Sequence, residues 1–163
     1  MLPLSHLANQ VKPSATLAAG AKAKEMKAAG IKVYDFMLGE PDFPTPPHII
    51  AAAVKAMEAG HTKYTAAEGL PALRQVLCKN YQERTGLTYT PDQVIISNGA
   101  KHSLHNALCA LVGPGDEVII PTPYWTSYGD LVTMTGATPI LVSSTIEEGF
   151  KLSAAKFKSA ITP

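Results

Sequence analysis

The chain has 163 residues, of which 46% are hydrophobic and 17% are charged, and its formal net charge is +1. That length and apolar content suffice for one buried core. The near-neutral charge gives no global field that would attract nucleic acid or an anionic membrane. No apolar run approaches the roughly 20 residues of a membrane span, and the N-terminus lacks the basic flank and apolar block of a secretory signal. We therefore expect neither a nucleic-acid nor a membrane partner, and a cytoplasmic location.

The cysteines and histidines indicate no metal or disulfide framework. Cys78 and Cys109 each fall in an apolar helical pattern, and two buried thiols are typical of a reducing compartment. His102 and His105 lie three residues apart on one predicted helix, but helical surface pairs of this kind usually hold no ion. We expect no metal site.

Helices dominate the predicted elements of the first half of the chain. Ser14 is a good cap for the first helix and Gly30 is a good terminator. The predicted elements are a helix over residues 14–29, a strand over residues 32–38, a helix that opens at residues 45–46 and closes at Gly60, and a helix over residues 71–84.

Strands and helices alternate in the second half. The apolar run Val118-Ile119-Ile120 suits a strand buried on both faces. Alternation of this kind predicts an α/β fold with a mainly parallel sheet. Because a further strand is due where the sequence stops, we interpret the chain as a fragment. The predicted elements are strands over residues 93–97, 117–121 and 138–143, helices over residues 100–112 and 127–135, and a last helix that begins near Ser153.

The most informative stretch runs from Ser97 to Ser103, where a predicted strand enters a turn of small residues that opens a helix. Unpaired amides and the dipole at a helix N-terminus favour phosphate. Gly99 and Ala100 permit close approach and Lys101 adds a cation. The spacing matches neither the P-loop nor the dinucleotide pattern. The turn is a candidate phosphate site, although a plain strand–helix connection has the same local sequence.

Three further stretches are candidates. Trp125 follows a predicted buried strand, at the end where open α/β sheets bind ligands; it could stack on a planar ring or serve as a core anchor. Gly39 ends a strand before an acidic proline turn, where bare backbone could approach a substrate or simply make a turn. Tyr64 lies in a polar loop, which is a solvated connection unless a partner subunit lies nearby.

Together and in order, these motifs resemble the fold-type I aminotransferases that depend on pyridoxal phosphate, and most closely their bacterial-type aspartate (aspartate/prephenate) subgroup. The resemblance covers the whole chain. It is carried by VKPSAT at residues 11–16, GEPDF at 39–43, TKYT at 62–65, SNGAK at 97–101, PYWTSY at 123–128 and ITP at 161–163.

The resemblance implies a role for each matching residue. The amides of Gly99, Ala100 and Lys101 would bind the phosphate of pyridoxal 5'-phosphate, and Trp125 would stack on its ring. Tyr64 would reach the phosphate in a neighbouring subunit, which implies a homodimer.

The resemblance also implies the substrate contacts, for an amino acid and a 2-oxo acid. Gly39 would lie against the substrate α-carboxylate, and Trp125 would border it. Ser14, Thr16 and the Lys101 side chain would recognise a distal carboxylate, and Lys12 matches a position linked to prephenate. Residues 1–45 would form an N-terminal arm with part of a small domain, and residues 46–163 an incomplete large cofactor-binding domain.

Two departures qualify this resemblance. Ala100 stands where many relatives have glycine, which keeps the amide but leaves less room. The Schiff-base lysine, together with an Asn, an Asp and an Arg of the family's site, would lie beyond residue 163, so the chain alone is expected to be inactive. Two alternatives stay open: another fold-type I enzyme, such as a lyase or an aminotransferase of different specificity, and a non-enzymatic phosphate-binding α/β module.

Overall fold

The computed structural model describes residues 3–10, 15–37 and 39–162. The chain divides into two compact units, one made of residues 1–38 with 104–163 and the other of residues 39–103. The elements are helices α1 His6–Gln10, α2 Ala15–Ala28, α3 Pro47–Glu58, α4 Pro71–Thr85, α5 Ala100–Leu111, α6 Ser127–Met134 and α7 Ala154–Ser159, strands β1 Glu117–Thr122 and β2 Thr138–Ser143, and a 3-10 turn Pro91–Gln93.

The first unit is built on a parallel pair of strands. β1 and β2 pair in register from Glu117 opposite Thr138 to Thr122 opposite Ser143. Helix α6 connects them, which is the strand–helix–strand unit that parallel pairing requires. An α/β architecture with parallel strands is thus confirmed, and the bounds predicted for the strand over residues 138–143 agree with those observed for β2.

The core of this unit lies between the strands and α6. Its buried residues are Ile120, Val132 and Ala137. Half-buried side chains pack against them, among them Leu108 and Tyr124. Of the run predicted to be buried throughout, Ile120 is buried, whereas Val118 and Ile119 are half-buried. Two paired strands cover less of β1 than a full sheet would, which accounts for this difference.

Two predicted strands do not form within the described residues. Residues 31–36 and residues 94–97 belong to no helix and no sheet; Leu38, the end of the first, lies outside the described residues. Strand character in a sequence indicates a fit to a pleated surface. A strand also needs a neighbour for its hydrogen bonds, and no described segment supplies one here.

Several helix ends coincide with capping and terminating residues in the sequence. α3 and α4 each begin with proline in the first turn. Gly86 terminates α4 in the left-handed conformation. Ser153 caps α7 by accepting a hydrogen bond from the Lys156 amide at 3.2 Å. The short helix α1 was not predicted, and Ser14, the expected cap of α2, lies outside the described residues.

The expectation of two buried thiols is wrong. Cys78 is half-buried and Cys109 is exposed. The Cys109 Sγ atom lies 3.6–3.7 Å from both ring nitrogens of His105, one helical turn away. Within the described residues, no helix is both long enough and apolar enough to cross a membrane. No group of three metal-ligating side chains occurs there either.

Candidate functional site

The turn at residues 97–101 leads into a helix, as its sequence predicts, although no strand precedes it among the described residues. Gly99 has φ +82°, a conformation that favours glycine. Open space lies where a Cβ would point from it. Helix α5 begins at the next residue, Ala100. The positive dipole end of α5 and the amides of its first turn therefore lie directly after a glycine that exposes its backbone.

His102 closes this turn from the helix side. The Asn98 amide donates to the His102 Nδ1 atom at 3.2 Å. The Gly99 carbonyl accepts from the His102 amide at 3.1 Å. The turn is thus held by its own helix, and a groove of about 350 Å³ lies beside it, lined in part by Thr65, Ile96 and His102.

Trp125 lies in the loop that follows β1, in the other compact unit. The Thr122 carbonyl at the end of β1 accepts from the Ser144 amide at 3.1 Å, which fixes the start of the loop. The peptide bond between Thr122 and Pro123 is cis. The Trp125 ring meets Tyr128 edge-on, with centroids 5.5 Å apart, and Trp125 is 45% exposed. Trp125 is therefore not a core anchor of this unit, and much of its surface is available to a ligand.

The remaining predicted site residues are spread over both units. Gly39 is exposed, with nothing near the position of a Cβ. Tyr64 is fully exposed. Thr16 is half-buried in the first turn of α2. Lys12 and Ser14 lie outside the described residues.

The contacts that hold the Tyr64 loop to the segment that leads into the turn were not predicted from the sequence. Gly69 has φ +98°, and a Cβ there would lie 2.5 Å from the Ile96 side chain. Arg74 is buried and binds both Glu68 and the Pro91 carbonyl. A signal for Arg74 was present. It shares a helical face with Leu77 and Tyr81, at the spacing of an apolar stripe.

Each of the two units, taken by itself, has a feature that fits one part of pyridoxal phosphate. The turn before α5 offers a helix N-terminus, a left-handed glycine and a lysine in the first turn, which suits a dianionic phosphate. The exposed face of Trp125 suits a planar ring.

The α/β elements and the parallel strand pair form part of an aspartate aminotransferase-like fold. Residues 31–163 match the family of class I and II aminotransferases, which is most of the chain. The chain therefore belongs to that family.

Similar proteins include aspartate and aspartate/prephenate aminotransferases. The chain is 50% identical over 160 residues to the aspartate/prephenate aminotransferase of Cereibacter sphaeroides, covering 98% of this chain and 40% of that protein. It is 51% identical over 151 residues to the aspartate aminotransferase of Geobacillus stearothermophilus, covering 93% and 38%.

A solved structure shares the fold. The crystal structure of the aspartate aminotransferase from Rhizobium meliloti superposes with a TM-score of 0.93 at 42% identity, over 100% of this chain and 41% of that one. The chain thus spans about 40% of the length of the relatives that it matches.

Proposed function

We propose that this chain supplies the phosphate-binding turn and the ring-stacking face of a pyridoxal-phosphate-dependent aminotransferase. The complete enzyme would transfer an amino group between aspartate or glutamate and a 2-oxo acid, with prephenate as a further acceptor. The observation that carries the proposal is the left-handed Gly99 directly before α5, in a chain of the class I and II aminotransferase family.

The turn would bind the cofactor through backbone and charge. The amides of Gly99, Ala100 and Lys101 would donate to phosphate oxygens, and the positive end of α5 would favour the negative charge. The Lys101 ammonium would add a charge-assisted contact, worth about 1.5–3 kcal/mol when made. The left-handed φ of Gly99 supports this role, because a side chain there would be strained beside the bound group.

Trp125 would orient the cofactor ring, and the bound cofactor would supply the electron sink for the reaction. The half-exposed ring of Trp125 and its edge-on contact with Tyr128 support this role. A rigid aromatic that is already held on one side loses little freedom when a second ring stacks on it.

The substrate contacts follow from the family resemblance. Gly39, whose surroundings are open, would lie against the substrate α-carboxylate. Thr16 and Lys101 would recognise the distal carboxylate together with Ser14, and Lys12 would serve prephenate. Tyr64 is fully exposed, as a contact with the cofactor phosphate of a second subunit requires. We therefore also propose a cytoplasmic homodimer.

The proposal makes a sharp distinction between binding and turnover. In the family, a Schiff-base lysine acts as imine partner and general base, and the resemblance implies that it would lie beyond residue 163. We expect the 163-residue chain to bind pyridoxal phosphate without transaminating. A coupled assay with aspartate and 2-oxoglutarate checks this, and turnover above the blank, in protein free of host enzymes, would contradict it.

Binding itself can be followed through the single tryptophan. Pyridoxal phosphate should quench the Trp125 fluorescence, and inorganic phosphate should compete. Gly99→Ala should weaken binding, whereas Gly86→Ala should not. Gly86 is a matched control because its φ is +75° against +82° for Gly99 and both have open space at the Cβ position. Equal affinity of the two variants for pyridoxal phosphate would show that the turn is not part of the binding site.

A further inference from the structure

Among the residues that the structure describes, Arg74 is a charged side chain in a buried position, with 9% of its surface exposed. Burial of a guanidinium is unfavourable unless its donors are satisfied. The Nε atom donates to the Pro91 carbonyl at 2.7 Å, and Nη2 donates to the same oxygen. Nη1 donates to the Glu68 carboxylate at 3.3 Å. One planar group therefore ties helix α4 to two separate loops.

Both acceptors adjoin the segment that leads into the phosphate-type turn. Pro91 begins the 3-10 turn directly before that segment. Glu68 is held from two sides, because its backbone carbonyl accepts from the Ile96 amide at 3.0 Å while its side chain meets Arg74. The next residue, Gly69, packs its Cα against the Ile96 side chain.

The segment of residues 94–97 depends on these contacts for its position. It joins no sheet among the described residues, so ladder hydrogen bonds do not fix it there. Two backbone hydrogen bonds tie it to other segments, from the Ile96 amide to the Glu68 carbonyl at 3.0 Å and from the Val94 amide to the Pro91 carbonyl at 3.2 Å. Arg74 binds the partner residue in both cases, at the Glu68 carboxylate and at the Pro91 carbonyl. At the end of the segment, the Ser97 carbonyl accepts from the Gly99 amide of the turn at 2.9 Å. Two residues after the segment ends, Gly99 makes the turn.

We propose that Arg74 is a positioning residue for the phosphate-binding turn, acting through Glu68 and the Pro91 carbonyl. It sets the entry of residues 94–97 into the turn and, by the same contacts, anchors the C-terminal end of the loop that carries Tyr64. This inference rests on the proposed function, because it assigns the turn to phosphate. Lysine would not replace arginine, because a single ammonium lacks the planar fork that reaches two acceptors at once.

The first test is amide hydrogen exchange on the full chain with Arg74→Met and the control Arg84→Met. Arg84 lies on the same helix and is exposed. Arg74→Met should speed exchange at Ile96 by roughly ten- to hundredfold, the equivalent of one charge-assisted hydrogen bond, and leave the amides of α3 unchanged. Equal acceleration throughout residues 39–103 would indicate general destabilisation and overturn the inference, as would wild-type exchange at Ile96.

The second test is titration with inorganic phosphate, followed through the amide shifts of Gly99 and Ala100. The dissociation constant for phosphate should rise roughly three- to tenfold in Arg74→Met, if the fraction of molecules with a binding-competent turn falls by the same factor. Faster exchange at Ile96 with unchanged phosphate affinity would overturn the inference. A wild-type chain that shows no phosphate response would instead refute the proposed function, and the exchange result would then judge the Arg74 contacts alone.

Glu68→Gln guards against a poorly folded Arg74 variant. It keeps the bonds from Arg74 to Pro91 and the backbone bond of Glu68, and removes only the carboxylate charge. Exchange at Ile96 should then rise by a smaller factor than in Arg74→Met, and Arg74→Lys should fail to restore the wild-type rate. Wild-type exchange in Glu68→Gln together with full rescue by lysine would contradict a role for the planar fork.

Discussion

Gly69→Ala offers a quantitative test of how tightly the Tyr64 loop is packed. A Cβ at this position would lie 2.5 Å from Ile96 Cγ1 and 2.6 Å from Ile96 Cβ. These atoms belong to the base of a β-branched side chain, which has little freedom to rotate away. The loop would therefore have to shift, and the Ile96 amide would lose its alignment with the Glu68 carbonyl.

The expected magnitude is the sum of two effects. A left-handed conformation costs a non-glycine residue roughly 1–2 kcal/mol. Overpacking at a well-filled contact adds about 1–3 kcal/mol. Gly115 separates the two effects, because its φ of +97° nearly equals the +98° of Gly69 and nothing lies near the position of its Cβ. Gly115→Ala should show the first effect alone.

Urea denaturation of both variants measures the difference in their free energies of unfolding. The effect of alanine on the unfolded chain is common to both and cancels. We expect Gly69→Ala to be the less stable variant by roughly 1–3 kcal/mol. If the two variants lose the same free energy, the loop does not pack against Ile96 as described.

Three further predictions concern the first unit. Val132→Ala removes two buried methyl groups and should lower the free energy of unfolding by about 2–3 kcal/mol, since Val132 is 1% exposed; Leu141→Ala in β2, from a side chain 53% exposed, should cost less in the same urea experiment. The hydrogen bonds from Lys156 and from the Thr145 amide lower the pKa of Glu148. The contribution of Glu148 to stability is therefore present above the usual carboxyl pKa and is lost as the pH falls through the lowered pKa. Glu148→Gln should flatten the loss of stability between about pH 6 and 3, and an unchanged pH profile would argue against the pairing of Glu148 with Lys156. Trp125→Ala should weaken pyridoxal phosphate binding by about two- to tenfold in absorbance titrations, whereas Phe157→Ala, of equal 45% exposure, should leave it unchanged.

The sequence determined the elements that depend on local chemistry. Prolines at the first turns of α3 and α4, Gly86 after α4 and Ser153 before α7 act within a few residues of themselves, so their effect is visible in the sequence. The position of Gly99 before a helix was equally visible, and its left-handed φ is what a strand–helix turn needs. Family membership was accessible for a related reason, because the spacing of several motifs survives in the sequence even where no single motif is specific.

The tertiary structure decided everything that depends on a partner distant in sequence. The segments at residues 31–36 and 94–97 have strand-like sequences and join no sheet among the described residues, because pairing requires a neighbour that local composition cannot supply. Cys109 has an apolar helical setting, but its exposure depends on what packs against α5. The spacing of Arg74 with the apolar residues of its helix is visible in the sequence, but its partners are not, because only the fold brings Glu68 and the Pro91 carbonyl, 6 and 17 residues away, to its guanidinium. Burial and long-range hydrogen bonds are properties of the folded chain, and they are what give Arg74 and Gly69 their importance.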